Sequence, residues 1–293
     1  MKIFVQFLLA IAIVSIPHIP QSLGLTNHGY EDPIPKELFY AASSWEKISP
    51  AAPQSKNELE LLNEEVEAII ERFPGTVVEF GPGDGSKTRV ILNALERRGI
   101  RDYLYIAVDH SKNVEITIQN ICEPLFHIIC VTINKSFENA MPDIEGGIIK
   151  RQEPAAAISL GSTNNEQLAA YLKSLAMFSM VVIGQDQPPI GNSVHEHYHT
   201  PEYEGFIDDG LRLASVLTGY PTNRKGCIET RDPYSHGYIA EINGVKAQVF
   251  TSCRWTISEM QAIIYSSQFS LTNYYSANSS PSGKTPLSNN GKG

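Results

Sequence analysis

The stretch KNELELLNEEVEAIIERF, residues 56–73, carries apolar side chains at 59, 61, 62, 66, 69 and 70. Intervals of three and four put them on one stripe, which predicts an amphipathic helix. TVVEF (76–80) then forms a short apolar run of strand length, followed by glycines at Gly81, Gly83 and Gly85 and a helical spacing from Lys87 to Arg98. DYLYIAVD (102–109), LFHIICVTI (125–133), AAAISLGS (155–162) and FSMVVIGQD (178–186) read as further strands. The last two are separated by the helical NEQLAAYLKSLAMF. Strands that are apolar on both faces and alternate with helices predict a parallel sheet covered on two sides.

Beyond Asp186 the periods change. PEYEGFIDDGLRLASVL is helical, and HGYIAEING and VKAQVFTSCRW alternate as an antiparallel pair around Asn243-Gly244. TISEMQAIIYSSQF predicts a late helix capped by Thr256 or Ser258. The expected fold class is α/β, a Rossmann-like core with a smaller α+β lobe. Residues 25–56 are read as an arm of that lobe, 57–190 as the core, and 191–275 as the lobe itself. Residues 276–293, rich in Ser, Asn and Gly, have almost nothing to bury and are expected to be disordered.

The head of the chain, MKIFVQFLLAIAIVSIP, places Lys2 before an apolar run over 3–16, the length of a signal-peptide core and short for a bilayer span. Residues 1–24 are therefore read as a signal-like or anchoring segment outside the fold. A formal charge of −9 provides no basic field for a phosphate backbone, so nucleic acid is not an expected partner. Cys122, Cys130, Cys227 and Cys253 show no CxxC spacing and are expected as free thiols. HEHYH (195–199) could set His195, His197 and His199 on one face, but without a second ligand cluster no metal is expected. A loop covering a substrate is the better account of it.

The glycine turn carries the candidate chemistry, and three ligands compete for it. A P-loop needs G-x-x-x-x-G-K-[ST], and here Ser86 stands before Lys87-Thr88 where the second glycine belongs. A dinucleotide site needs G-x-G-x-x-G, and Ser86 again takes the third position. The turn that holds S-adenosyl-L-methionine (SAM) needs an acid near the end of the first strand, glycines facing the methionine end, and an acid ending the second strand. Glu79, the glycines and Asp109 supply these, separated by one helix and one strand.

On PKELFY, VEFGPGDGSKTRVILNAL, YIAVDHS, ISLGST, MVVIGQD and EHYHTPEYEGFIDDGLRLASVLTG, in order from about Pro35 to Phe269, the chain resembles the histidine-specific, SAM-dependent N-methyltransferases. That family includes the ergothioneine-pathway histidine methyltransferase and the dimethylallyltryptophan N-methyltransferases. The resemblance implies a class I methyltransferase core and cofactor contacts at Glu79, Gly81, Gly83, Gly85, Lys87, Asp109, Asn134, Gly161 and Ser162. It implies substrate contacts at Asn164, Tyr198, Phe250 and Ser252, with Tyr198 and Asn165 as catalytic residues.

Three departures bear on the substrate. The family's YYPTR-like segment is here SPAAPQSKNE, Phe250 falls where the histidine enzymes place a glutamate, and Asn134 stands where an acid follows the third strand. An aromatic at 250 cannot accept hydrogen bonds from an α-ammonium group but can face a cation or a ring. Tyr198, Trp255 and Phe250 are therefore expected to line an aromatic pocket for a small amino-acid-derived amine, histidine- or tryptophan-like, with free histidine a poor substrate. A relative that binds SAM without turnover remains the alternative. Because SAM is made in the cytosol, the catalytic part is expected to face it, tethered through 1–24 if that segment is retained. The N-x-S sequon at Asn134 is expected near the core, where a glycan has no room.

Overall fold

A computed structural model of the chain describes residues 2–6, 34, 38–40, 48–49, 52–151, 153–160, 165–185, 200–231 and 234–275. The elements of the first part are strand β1 (Lys2–Gln6), helix α1 (Pro53–Ile70), β2 (Thr76–Phe80), α2 (Ser86–Arg97), β3 (Tyr103–Asp109), α3 (Lys112–Cys122), β4 (Ile128–Asn134), α4 (Phe137–Arg151), β5 (Ala155–Leu160), α5 (Asn165–Ser174) and β6 (Met180–Gly184). The chain continues through α6 (Pro201–Thr218), β7 (Thr222–Arg231), β8 (Tyr234–Ile242), β9 (Val245–Cys253), α7 (Ile257–Ser266) and β10 (Ser270–Tyr275).

The centre is the parallel array β4-β3-β2-β5-β6, extended by β1 and β10 to the order β10-β1-β6-β5-β2-β3-β4. β2, β5 and β6 are buried along their whole length, which is why their sequences read as unbroken apolar runs. Alternate residues of one strand feed two cores. Val78 and Phe80 meet Phe137, Leu172 and Phe178 on one face, while Val77 lies with Leu62, Ile69, Ile91 and Leu95 on the other. This is the Rossmann-like α/β core expected.

The second, three-stranded sheet is antiparallel with β8 in the middle. Asn243 and Gly244 join β8 to β9 with φ of 50° and 81°, the signature of a two-residue turn in which both residues are left-handed. Helix α6 covers this sheet, capped by the Thr200 hydroxyl, which accepts from the Tyr203 N–H. Ile34, Leu38, Phe39 and Ile48 of the arm complete the lobe's core with Phe206, Tyr238 and Phe250. The arm comes so close to α6 that a Cβ at Gly210 would lie 2.1 Å from the Phe39 ring.

Four expectations are corrected. The lobe does not run to 275: Cys253, Trp255, Met260, Ile263 and Ile264 pack in a core of the main sheet, and β10 joins that sheet. Met260, Ile263 and Ile264 of α7 belong to that core, so the chain leaves the lobe at β9. The head of the chain is not wholly outside the fold, because Lys2–Gln6 pairs in parallel with β6 and β10; its β-branched and aromatic residues suit a strand. The rest of that apolar stretch lies outside the described residues, as does the tail after 275.

Cys122 and Cys130 are joined by a disulfide, since the short turn from α3 into β4 brings their Cα atoms to 6.4 Å. Cys227 and Cys253 are not disulfide-bonded. Asn134 is exposed rather than near the core, because β4 is the sheet's edge strand and its outer positions meet solvent.

Candidate functional site

The turn after β2 sits at the carboxyl end of the parallel sheet, where open α/β folds hold ligands. Gly81, Gly83 and Gly85 have φ of 71°, 60° and 73°, conformations that cost a side-chain-bearing residue about 1–2 kcal/mol. The Gly81 N–H donates to the Val108 carbonyl at 2.9 Å, tying the turn to β3. Asp84 Oδ1 accepts from the Ser86 N–H at 2.9 Å and its hydroxyl at 2.7 Å, closing the turn onto the start of α2. Gly85 caps that helix, and a Cβ there would meet Ile121 at 2.5 Å and Thr117 at 2.7 Å. The glycine therefore serves both a backbone conformation and the close approach of α3.

A buried polar triad and a buried ion pair support the turn. Glu79 is 1 % exposed, and its Oε2 accepts from the Tyr105 hydroxyl at 2.6 Å and the Thr88 hydroxyl at 2.9 Å. Burial lifts its carboxyl above the usual range, against the pull of those two donors and of Lys87. Burial, with the Glu79 charge beside it, also pushes the Tyr105 phenol well above its ordinary value. Lys87, in the first turn of α2, donates to Glu58 Oε2 of α1 at 2.6 Å, with both side chains buried.

Asp109 ends β3 beside this turn. Its Oδ1 accepts the Ser111 N–H at 2.8 Å and stands 3.6 Å from His110 Nδ1. Burial raises its carboxyl, while N–H donors of Ser111, Gly83 and His110 oppose the shift. The register of β3 and β4 sets Asn134 next to Asp109 at the same end of the sheet. Glu79, the three glycines, Lys87, Asp109 and Asn134 are thus gathered along one edge. Gly161, Ser162, Asn164 and Tyr198 lie outside the described residues, as do His195, His197 and His199. Asn165 opens α5.

On the lobe side, Phe250 is 6 % exposed and its ring packs 5.1 Å from Phe39 and 5.3 Å from Phe206, with Tyr40 and Tyr203 around it. It holds a φ of 52° where β9 slips register against Gly237 of β8. Trp255 belongs to a core of the main sheet, so it and Phe250 do not share an aromatic pocket. Ser252 is partly buried and pairs with His236 across β8 and β9.

Two site residues escaped the sequence reading. Tyr105 could have been found, since positions 105 and 107 of the strand share a face with Asp109. Glu58 gave no signal beyond a polar position on a helix, because its partner is 29 residues away.

The sequence profile of the family described as "Histidine-specific methyltransferase, SAM-dependent" matches residues 23–217, more than half of the chain. No curated protein matches it.

Proposed function

The chain belongs to the histidine-specific, SAM-dependent methyltransferase family, and from that premise we propose that it methylates the nitrogen of a small amino-acid-derived amine, histidine- or tryptophan-like. It is a methyltransferase, and SAM is its cofactor. The observation that carries the site assignment is the run of left-handed glycines at the carboxyl end of the sheet, beside a buried Asp109.

The donor set suits this cofactor. Gly83 and Asp84 are only half-buried at the crest of the turn, so backbone there can approach a methionine end. Asp109 would accept from ribose hydroxyls, Lys87 would face the carboxylate, and Asn134 would border the base. The family resemblance adds Gly161 and Ser162 to this set.

Bound SAM would supply an electrophilic methyl group on a sulfonium, to be taken in line by a neutral amine nitrogen as the carbon–sulfur bond breaks and S-adenosylhomocysteine leaves. The protein's part is to align the nitrogen and exclude water; well-oriented reactions reach effective molarities of about 10⁵ M or more. The amine must also give up its proton to solvent or to a nearby polar group. We assign that surrounding to Tyr198 and Asn165, with Asn164 and Ser252 orienting the substrate.

The amine is assigned an aromatic side chain, with free histidine a poor substrate. In support, no carboxylate stands at position 250, where Phe250 cannot accept hydrogen bonds from an α-ammonium group. Labelled SAM offered with a panel of amino-acid-derived amines should give methylated product with aromatic members and little with histidine. Efficient trimethylation of free histidine would overturn the substrate assignment.

A further inference from the structure

The pair formed by Lys87 and Glu58 has no counterpart in the glycine-turn motif. Lys87 occupies the first turn of α2, just past the capping Gly85 and one residue before Thr88, which donates to Glu79. Glu58 reaches it from a different helix, at 2.6 Å, with side-chain exposures of 6 % for the lysine and 0 % for the glutamate.

An ammonium on a four-carbon stem has many rotamers, and burial without a partner penalises its charge. A charge-assisted bond to a fixed carboxylate removes both problems. The carboxylate is fixed because α1 is fixed. Its preceding segment is anchored by Ile48 in the lobe core, and the Ser49 hydroxyl donates to the Ser55 hydroxyl at 3.2 Å at the helix's start. The flanks of α1 and α2 also pack together through Leu62, Ile69, Ile91 and Leu95.

We infer that Glu58 is a positioning residue for the cofactor site: it holds the Lys87 ammonium at the start of α2, ready for the carboxylate of SAM. This rests on the assignment of the glycine turn as the SAM site. Glu58 touches no reacting atom in this role; it acts through Lys87.

The test uses the full chain and adenosylhomocysteine as the calorimetric probe, with Glu58→Gln, Glu58→Asp, Lys87→Met and the double variant Glu58→Gln/Lys87→Met. The glutamine variant should bind about tenfold or more weakly, a loss of about 1.4 kcal/mol. Aspartate should recover part of the loss. In the Lys87→Met background the glutamine substitution should change affinity by less than about twofold, since no ammonium remains to position. Steady-state assays should show the loss in KM for SAM more than in kcat. A Glu58→Gln protein that melts earlier yet binds the probe as tightly as wild type would reduce the pair to a structural one. Equal losses in both backgrounds would show that Glu58 does not act through Lys87. Failure of the wild-type chain to bind the probe would instead overturn the site assignment on which this inference stands.

Discussion

A carboxyl group held as far from water as that of Glu79 binds its proton more tightly in the folded chain than in the unfolded one, where 4.5 is the usual value. Protons therefore favour the folded state at this position. Its contribution to stability grows as pH falls through the raised folded value and levels off once the unfolded group is protonated too. Glu79→Gln should erase that dependence while its amide oxygen still accepts from Tyr105 and Thr88. The difference in urea stability between wild type and variant should thus shift toward wild type on acidification. A difference independent of pH would contradict the burial argument. Phe250 supports a second expectation. Replacing it with glutamate should not create a substrate grip, because the side chain at 250 points among rings of the lobe core. An unpaired charge there should cost about 3–5 kcal/mol, seen as a large fall in melting temperature. At this scale the sequence was readable where chemistry demands a residue type at a turn or strand end, as for the glycines and Asp109. It was opaque where partners are remote in the chain, as for Glu58, or where a strand slips register, as at Phe250.

Among the elements, α3 shows how a helix can serve a site it does not line. Thr117 and Ile121 lie where a side chain at Gly85 would go, so Gly85→Ala combines a left-handed alanine with displacement of α3. The expected cost is about 1–2 kcal/mol of backbone strain, with adenosylhomocysteine affinity reduced by more than stability alone explains. Calorimetry beside a denaturation curve separates the two. The same helix is tied at its last residue, since Cys122 is bonded to Cys130 of the edge strand. Cys122→Ser, or reduction of the intact chain, should lower stability by about 2–3 kcal/mol, measured by urea unfolding with and without reductant. Equal midpoints in the two conditions would show that the bond contributes nothing. Strands β2, β3, β5 and β6 were legible because burial on both faces demands unbroken apolar runs. Helix α4 was not, as Pro142 and Gly146-Gly147 interrupt its pattern and only packing of Phe137, Ala140 and Ile144 on the sheet holds it. Strands β7 and β10 were hidden for the opposite reason: at sheet edges, TNRKGCIETR and SLTNYY need little apolar character.

Seen whole, the molecule divides its labour between a parallel sheet, where the cofactor chemistry is assigned, and a lobe with its own aromatic core. The division was evident in the switch from continuous to alternating hydrophobicity after Asp186. The place of return was not, because Trp255 and α7 are as apolar as lobe residues and only tertiary packing assigns them to the sheet. The chain departs after β6 and returns after β9 through α7, whose Met260, Ile263 and Ile264 pack in a core of the main sheet, before β10 joins that sheet beside β1. β6 and β10 both run parallel to β1, so the exit at Gly184 and the entry at Ser270 lie at opposite ends of the sheet. Helix α6 and strands β7, β8 and β9 thus form one continuous excursion from the sheet, which makes them exchangeable in the way that inserted modules are. A chimaera carrying residues 200–253 and the arm of a relative with a different acceptor should inherit that relative's acceptor preference and keep its own SAM affinity. Enzymes of this build could then diversify by trading one half of the molecule while the other is handed down unchanged.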